Sequence, residues 1–346
     1  MRDLRREMPM AEQQDNQNVG TGAQPELPIV VPFPKWDDWV AECIAGCAKL
    51  DYPHFEIWLL PDEPLPLERV AEAERLAAGR PVRVLPTGPA NPAKKRNVAL
   101  RASQHAWAAL IDADAYPQPD WLQKAFRHVT DTVGIVAGPN MTPPGDPLAR
   151  RISGLPMRSP LGFGAGYIRH HPVAQHDAEE MPTCNMIIRR LPELLFREEF
   201  NTAEDMMYCR DTRERGFRVV YAPDVVVYHH RRRFPRDFAK QFYFYGRDKG
   251  RLFARSHGAA RMGHAAPAGL LIYAVATLLL ALLCSIPLWW WIPALGYAAL
   301  VLLESIRCAS SPLLALCGLI AFPVAHLSYG FGFWRGVPKG LRERRA

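Results

Sequence analysis

The chain has 346 residues, a formal net charge of +7 and 49% hydrophobic residues, which is enough for a sizeable core and too apolar for a wholly disordered chain. Its seven cysteines are odd in number and include no Cys-x-x-Cys, so they read as reduced, buried thiols rather than a disulfide framework, with Cys43 and Cys47 one helical turn apart. The basic residues gather at Arg231, Arg232 and Arg233, across 247–261 and across 335–345, beside apolar windows and in no recognisable binding module; this argues for anionic lipid and against a nucleic-acid partner.

Residues 1–25 are polar and rich in Gln, with no apolar stretch to make a signal peptide or anchor, and read as a disordered tail. A strand is predicted over 28–32, then a helix over 36–50 with Asp37 or Asp38 as its cap. A second strand, 55–60, ends at Pro61-Asp62-Glu63-Pro64. A helix over 67–78, a strand over 82–85, a loop over 86–92 and a helix over 93–105 follow. This alternation predicts a parallel, doubly wound sheet. Lys94 and Lys95 fall in the first turn of a helix, where cations are out of place unless an anion lies nearby.

The fourth strand, 107–111, stops at Asp112-Ala113-Asp114. Ligands of open α/β sheets sit beyond the carboxyl ends of strands, so both acids face a crevice, where Asp-x-Asp can hold a hard divalent cation and the cation can neutralise a diphosphate. A helix over 121–129 and a strand over 133–138 come next. Residues 140–171 are rich in Gly and Pro and read as a functional lid or binding loop. A strand over 183–188 contains Asn185 and leads to Arg189-Arg190. Glu204 and Asp205 open a helix that Gly216 stops, and their place at its positive end stabilises carboxylates. Strands over 217–221 and 224–228 deliver His229, a strand-end histidine suited to a metal.

Residues 262–303 and 309–334 contain no Asp, Glu, Lys or Arg, and each window is of membrane length. The first has room for two spans, with Trp289, Trp290 and Trp291 at an interface. The second, from 312 to 334, is interrupted by Pro323, His326, Gly330 and Gly332; it reads as a third span, or as a re-entrant or interfacial segment. The excess of Lys and Arg in the flanks places 231–261, and the C-terminal tail, in the cytosol.

From 28 to about 250 the order of these motifs resembles the family 2 glycosyltransferases with a GT-A fold, particularly the membrane-associated bacterial exopolysaccharide branch. The resemblance rests on Ile29-Val30-Val31-Pro32, Asp62, Lys95-Arg96-Asn97, Asp112-Ala113-Asp114, Asn185 with Arg189-Arg190, Glu204-Asp205, and Tyr228-His229 followed by Gln241 to Arg247. It implies an α/β fold with a mixed, nucleotide-sugar-binding sheet and helices on both faces over 26–260. A membrane region of two or three helices over 262–334 and a basic tail over 335–346 would follow.

It further implies that Asp62, Lys95, Arg96, Asn97, Asp112 and Arg247 bind the donor, and that Asn185 lies on the acceptor side. Asp114, Asp112 and His229 would hold Mg²⁺ or Mn²⁺, and Asp205, seconded by Glu204, would be the general base of an inverting transfer. The implied partners are a nucleotide-sugar donor, a lipid-linked or saccharide acceptor and the cytoplasmic membrane. Two departures stand out. Pro61-Asp62-Glu63-Pro64 replaces the Asp-Asp-Gly-Ser of many relatives, and the stretch Gln241 to Arg247 lacks the Gln-x-x-Arg-Trp of processive synthases. The second favours transfer of one sugar over polymerisation; retained Asp112, Asp114 and Asp205 argue against a non-catalytic membrane scaffold.

Overall fold

A computed structural model describes residues 24–199, 204–255 and 262–345 of the chain; most of the N-terminal tail lies outside them. The first half alternates as the sequence predicts. Strand β1 (Leu27–Pro32), helix α1 (Asp38–Ala48), β2 (Phe55–Leu60), α2 (Leu67–Leu76), β3 (Val82–Val84), α3 (Pro92–Ala102) and β4 (Trp107–Ile111) come in that order. Asp37 is the cap of α1, its carboxylate accepting from the amides of Trp39 and Val40. Asn91 caps α3 by accepting from Lys94 N.

Next come β5 (Ala115–Pro117), α4 (Trp121–Arg127), β6 (Val133–Ala137), β7 (Asn140–Met141), α5 (Leu148–Met157), α6 (Pro160–Phe163), β8 (His176–Asp177) and β9 (Asn185–Arg189). They are followed by α7 (Glu204–Glu214), β10 (Arg218–Tyr221), β11 (Val227–His229), α8 (Arg236–Arg255), α9 (Ala266–Leu283), α10 (Ile292–Cys308) and α11 (Pro312–Arg345). Gly216, at φ +85°, ends the helix of Glu204 and Asp205.

Eight strands form one sheet in the order β3-β2-β1-β4-β9-β6-β10-β8. β1 to β4 are parallel, as the alternation predicts, but β9 runs antiparallel to both β4 and β6, and β8 antiparallel to β10. The sheet is therefore mixed rather than parallel throughout. Both faces are covered: Ile29, Val31, Ile57, Leu59, Ala109 and Ile111 pack into one core with α1, α2 and α4. Val30, Trp58, Leu60, Ala108 and Leu110 pack into the other with α3 and α7. Burial on both faces is why these strands are continuously apolar.

A second, three-stranded sheet, β5-β11-β7, stands beyond the carboxyl end of β4. Its register pairs His229 with Ala115 and Tyr228 with Tyr116. That register carries His229 to the residue next to Asp114.

The segment read as a loop over 140–171 is instead largely helical. Its apolar residues Ile152 and Leu155 pack with Val301, Leu314, Ala321 and Phe322 of the last two helices. Arg151 donates to Ser310, Ser159 to Glu304, and Leu161 O pairs with His326 Nε2 at 2.9 Å. The insertion is the bracket that joins the sheet domain to the C-terminal helices. Five of the cysteines are buried and all are free; Cys284, at the end of α9, is exposed, unlike the buried thiol its composition suggests.

Three stretches, Gly263–Leu283, Leu288–Cys308 and Pro312–Arg344, are long and apolar enough to cross a membrane. The basic tail is not separate, because α11 continues through it. Along its C-terminal half α11 meets α8 backbone to backbone. A Cβ added at Gly246 would lie 2.0 Å from Tyr329 O, and at Gly250 2.1 Å from Phe333 O. Conversely, Cβ atoms at Gly332 and Gly336 would lie 2.0 Å from the carbonyl oxygens of Tyr243 and Arg247. Glycines four apart on each helix thus make one seam. Gly336→Leu is expected to cost about 1–3 kcal/mol by overpacking it. Gly269→Leu, whose added Cβ meets nothing within 4 Å, should change stability by no more than about 0.5 kcal/mol. Thermal unfolding of the two variants in detergent checks the contrast, and equal melting temperatures would refute the seam.

Candidate active site

The carboxyl ends of β1 and β4, the start of α7 and the small sheet enclose a cleft of about 1110 Å³, lined among others by Arg96, Asp112, Asp114, Glu204, Asp205 and His229. Four stretches far apart in sequence meet there: Arg96 from within α3, Asp112 and Asp114 from just beyond β4, Glu204 and Asp205 from the start of α7, and His229 from the end of β11.

Arg96 is the hinge of the arrangement. Its guanidinium, 3% exposed, donates through Nη2 to Asp112 Oδ1 at 2.9 Å and through Nη1 to Glu204 Oε1 at 3.3 Å. One buried cation so ties the acids of β4 to those of α7. On the other side of Asp112, Asp114 Oδ1 lies 2.9 Å from His229 Nε2, and Arg232 approaches its second oxygen at 3.9 Å. Burial works to raise the Asp114 carboxyl, but the charges and hydrogen bond of His229 and Arg232 outweigh it and hold the group well below the usual carboxylate range.

Asp112, Asp114 and His229 present two carboxylate oxygens and an imidazole nitrogen, all within 4.8 Å of one another and half-buried. Neighbouring ligands about 2.1 Å from an octahedral ion are about 3 Å apart. The 2.9 Å between Asp114 and His229 therefore suits adjacent positions on one ion. Oxygen ligands with one imidazole fit Mn²⁺ or Mg²⁺ and leave positions for further oxygens. A metal on Nε2 puts the imidazole proton on Nδ1, which faces Arg231 at 3.4 Å, so His229 is the weakest member of the set.

Asp205 differs from these acids. Its only hydrogen bond among the described residues is from the amide of Met206. Burial and the neighbouring Glu204 push its carboxyl up to about 6. Such a group is ionised at neutral pH and still basic enough to accept a proton.

Several residues expected at the site stand elsewhere. Asn185 is fully buried: its amide donates to Pro139 O and Val225 O, and its oxygen accepts from Trp121 Nε1. It is a core residue with no face to an acceptor. Arg247 lies outside the cleft wall, paired with Asp248 and stacked on Phe244 along the α8 seam. Asn97 is buried and pins the chain at Phe196 and Glu198. Lys95 Nζ donates to Phe33 O at 2.6 Å and Leu60 O at 3.1 Å and lies 2.5 Å from Asp62. The anion its position demands is thus a protein carboxylate. Asp62 is engaged by Lys95, and neither is among the residues that line the cleft.

The sequence reading missed a second layer. His230 sits between Asp146, at 2.6 Å, and Glu42, at 2.8 Å, with its ring 4.0 Å from that of Trp39. Burial lowers the His230 imidazole, but those two acids prevail and raise it. Arg231, read as one of three lipid-facing arginines, is buried and holds Asn140 and Thr142. Arg150 donates to Arg231 O at 2.5 Å and stacks on Trp39. The one available signal was the pair His229-His230, whose adjacent side chains on a strand must face opposite ways.

Residues 29–193 match the family profile Glycosyl transferase family 2. Pre-mycofactocin glycosyltransferases from two strains of Mycobacterium tuberculosis are 29% identical to the chain over 171 residues. The match takes in 47% of this chain and 35% of theirs, so the chain aligns with about a third of the length of these curated relatives. Among solved structures, the mannosyltransferase PcManGT from Pyrobaculum calidifontis, in complex with GDP-Man and Mn²⁺, shares the fold at a TM-score of 0.56 and 19% identity. That likeness covers 89% of this chain and 88% of that one.

Two measurements check the site. Arg96→Met strands the buried Glu204 and the half-buried Asp112 and is expected to cost about 3 kcal/mol, with a smaller loss in the Arg96→Met, Glu204→Gln double variant; thermal unfolding of the single and double variants reads the difference. Asp114→Asn should abolish Mn²⁺ binding in a calorimetric titration. Unchanged binding would show that this trio is not the metal centre.

Proposed function

We propose, from the premise that residues 29–193 are a family 2 glycosyltransferase domain, that the chain moves one sugar from a nucleoside-diphosphate sugar to an acceptor hydroxyl, with inversion. The observation that carries this reading is the meeting, in one cleft, of a cation-binding trio and a carboxylate raised to about 6, joined through Arg96. Asp205 takes the proton of the acceptor hydroxyl as that oxygen forms its bond to the anomeric carbon. The bond from that carbon to the diphosphate breaks on the opposite face, and its electron pair leaves with the phosphate oxygen. A base and a leaving group on opposite faces give inversion.

A divalent cation held by Asp112, Asp114 and His229 would supply Lewis-acid stabilisation of the leaving diphosphate. Arg232, 62% exposed beside Asp114, adds positive charge at that end. Arg96 holds the carboxylates of Glu204 and Asp112 in place, and Glu204 in turn holds up the proton affinity of Asp205. Asp62 and Lys95, paired with one another outside the cleft lining, support the donor side. The Mn²⁺ and GDP-Man of the Pyrobaculum enzyme favour a metal and a nucleotide sugar here as well.

The acceptor in this reading is membrane-held, lipid-linked or part of a growing cell-envelope polysaccharide, and is met at the cytosolic face. Its support is the cleft wall itself. Met157 and Phe163 line the cleft and also pack with Ala325 and Tyr329 of α11.

Asp205→Asn is expected to lower turnover about 10²- to 10⁴-fold while leaving donor affinity nearly intact. Wild-type kcat/KM should fall below pH about 6, by about tenfold per unit, because the base is lost as it takes a proton. An unperturbed aspartate would hold the rate down to about pH 4. Donor turnover and calorimetric donor binding of both proteins decide the matter; normal turnover in the Asn variant would overturn the assignment.

A further inference from the structure

By length and apolarity α11 qualifies as a membrane span. Its contacts say otherwise. At its start, Ser310 accepts from Arg151, and Leu314 packs with Ile152 and Leu155 of α5. Near its end, Arg251 of α8 pairs with Glu343 at 2.6 Å, and Gly340 lies against Arg251 O. Between these points Ala325 and Tyr329 pack with Met157, Phe238 and Phe242. The helix is thus in contact with α5 and then α8 from one end to the other.

Those two helices are parts of one body on one side of any membrane. Phe234 N donates to Ala149 O at 3.0 Å, and Arg150 to Arg231 O at 2.5 Å, so α5 and the entry to α8 are adjacent. Neither helix can lie in hydrocarbon: α5 carries Arg150 and Arg151, and α8 carries Arg247, Asp248, Lys249 and Arg251. A helix whose two ends touch both cannot have its ends on opposite sides.

The other face of α11 tells what it rests on. Leu313, Leu316, Ile320, Leu327, Phe331 and Trp334 are exposed and recur every three, four or seven residues, a single apolar stripe opposite the stripe buried on α5 and α8. Exposed Arg335, Lys339 and Arg342 follow it. The hairpin of α9 and α10 also begins and ends at α11. Trp334 Nε1 donates to Ala268 O, and a Cβ on Gly318 would meet Ser305 at 2.5 Å.

We propose that α11 lies along the bilayer surface beneath the sheet domain rather than across the bilayer. Its apolar stripe rests in the lipid interface, its basic end meets anionic headgroups, and the α9–α10 hairpin enters and returns on the same side. The inference rests on packing alone and stands whether or not the chain is a glycosyltransferase.

Single cysteines at Glu68, Ser310 and Arg344, in a full-length background with Cys284→Ser and Cys317→Ser, test it. Intact cells and inverted membrane vesicles are treated with a membrane-impermeant maleimide, and detergent-solubilised protein gives the full extent of labelling. All three cysteines should label in the same preparation and be protected in the other. Labelling of Ser310→Cys and Arg344→Cys from opposite sides would make α11 a span and overturn the proposal. Ser310→Cys and Arg344→Cys both labelling opposite to Glu68→Cys would overturn it equally.

Discussion

A single guanidinium carries the organisation of this site. Without Arg96, the acids that end β4 and the acids that begin α7 would face one another across a partly dry cleft, with too little positive charge between them. Mutual repulsion would push their proton affinities up or the elements apart. With Arg96 in place the two acidic groups are held at a fixed separation and take up different states. Asp112 and Glu204 are spent on the guanidinium. Asp114 is held low by His229 and Arg232, and Asp205, which no cation among the described residues directly pairs, is left high. Four carboxylates of ordinary chemistry thereby acquire distinct surroundings from their neighbours alone.

The same economy appears in the small sheet. His229 reaches Asp114 only because β11 pairs with β5 in the register that sets His229 against Ala115. A slip of one residue would present Tyr228 or His230 instead and turn the remaining side chains to the opposite face. The amide of His230, donating to Asp114 O at 3.1 Å, fixes that register at the point where it matters.

What the sequence made legible follows from where each signal is local. Strand ends, helix starts and the order of apolar runs are local, so the alternation from β1 to β4, the Asp112-Ala113-Asp114 edge and the Glu204-Asp205 start could all be read. Strand direction is not local. An apolar run such as 185–189 reads alike in either orientation, and β9 proved antiparallel. Asn185 misled because a polar residue in an apolar run can serve either a ligand or the core, and here Trp121, Pro139 and Val225 take all its hydrogen bonds. Arg231 was hidden inside a run of three arginines whose members have different fates. The insertion over 140–171 lacked periodicity because its helices are short and α5 carries Pro156 within it; its apolar side faces helices more than a hundred residues downstream.

The glycine seam bears on how this protein can be handled as well as on how it folds. α8 leaves the cleft, where Gln241 and Tyr245 form part of the wall, and runs directly into the seam. A fragment cut before α9 would keep every acid of the site yet strip α8 of the surface that covers Phe238, Phe242, Gly246 and Gly250. Its newly bared flank would be sticky and its cleft wall unsupported on one side. The smallest piece that keeps α8 covered therefore ends with the last helix, and solubility has to be sought by trimming the α9–α10 hairpin rather than the C-terminus.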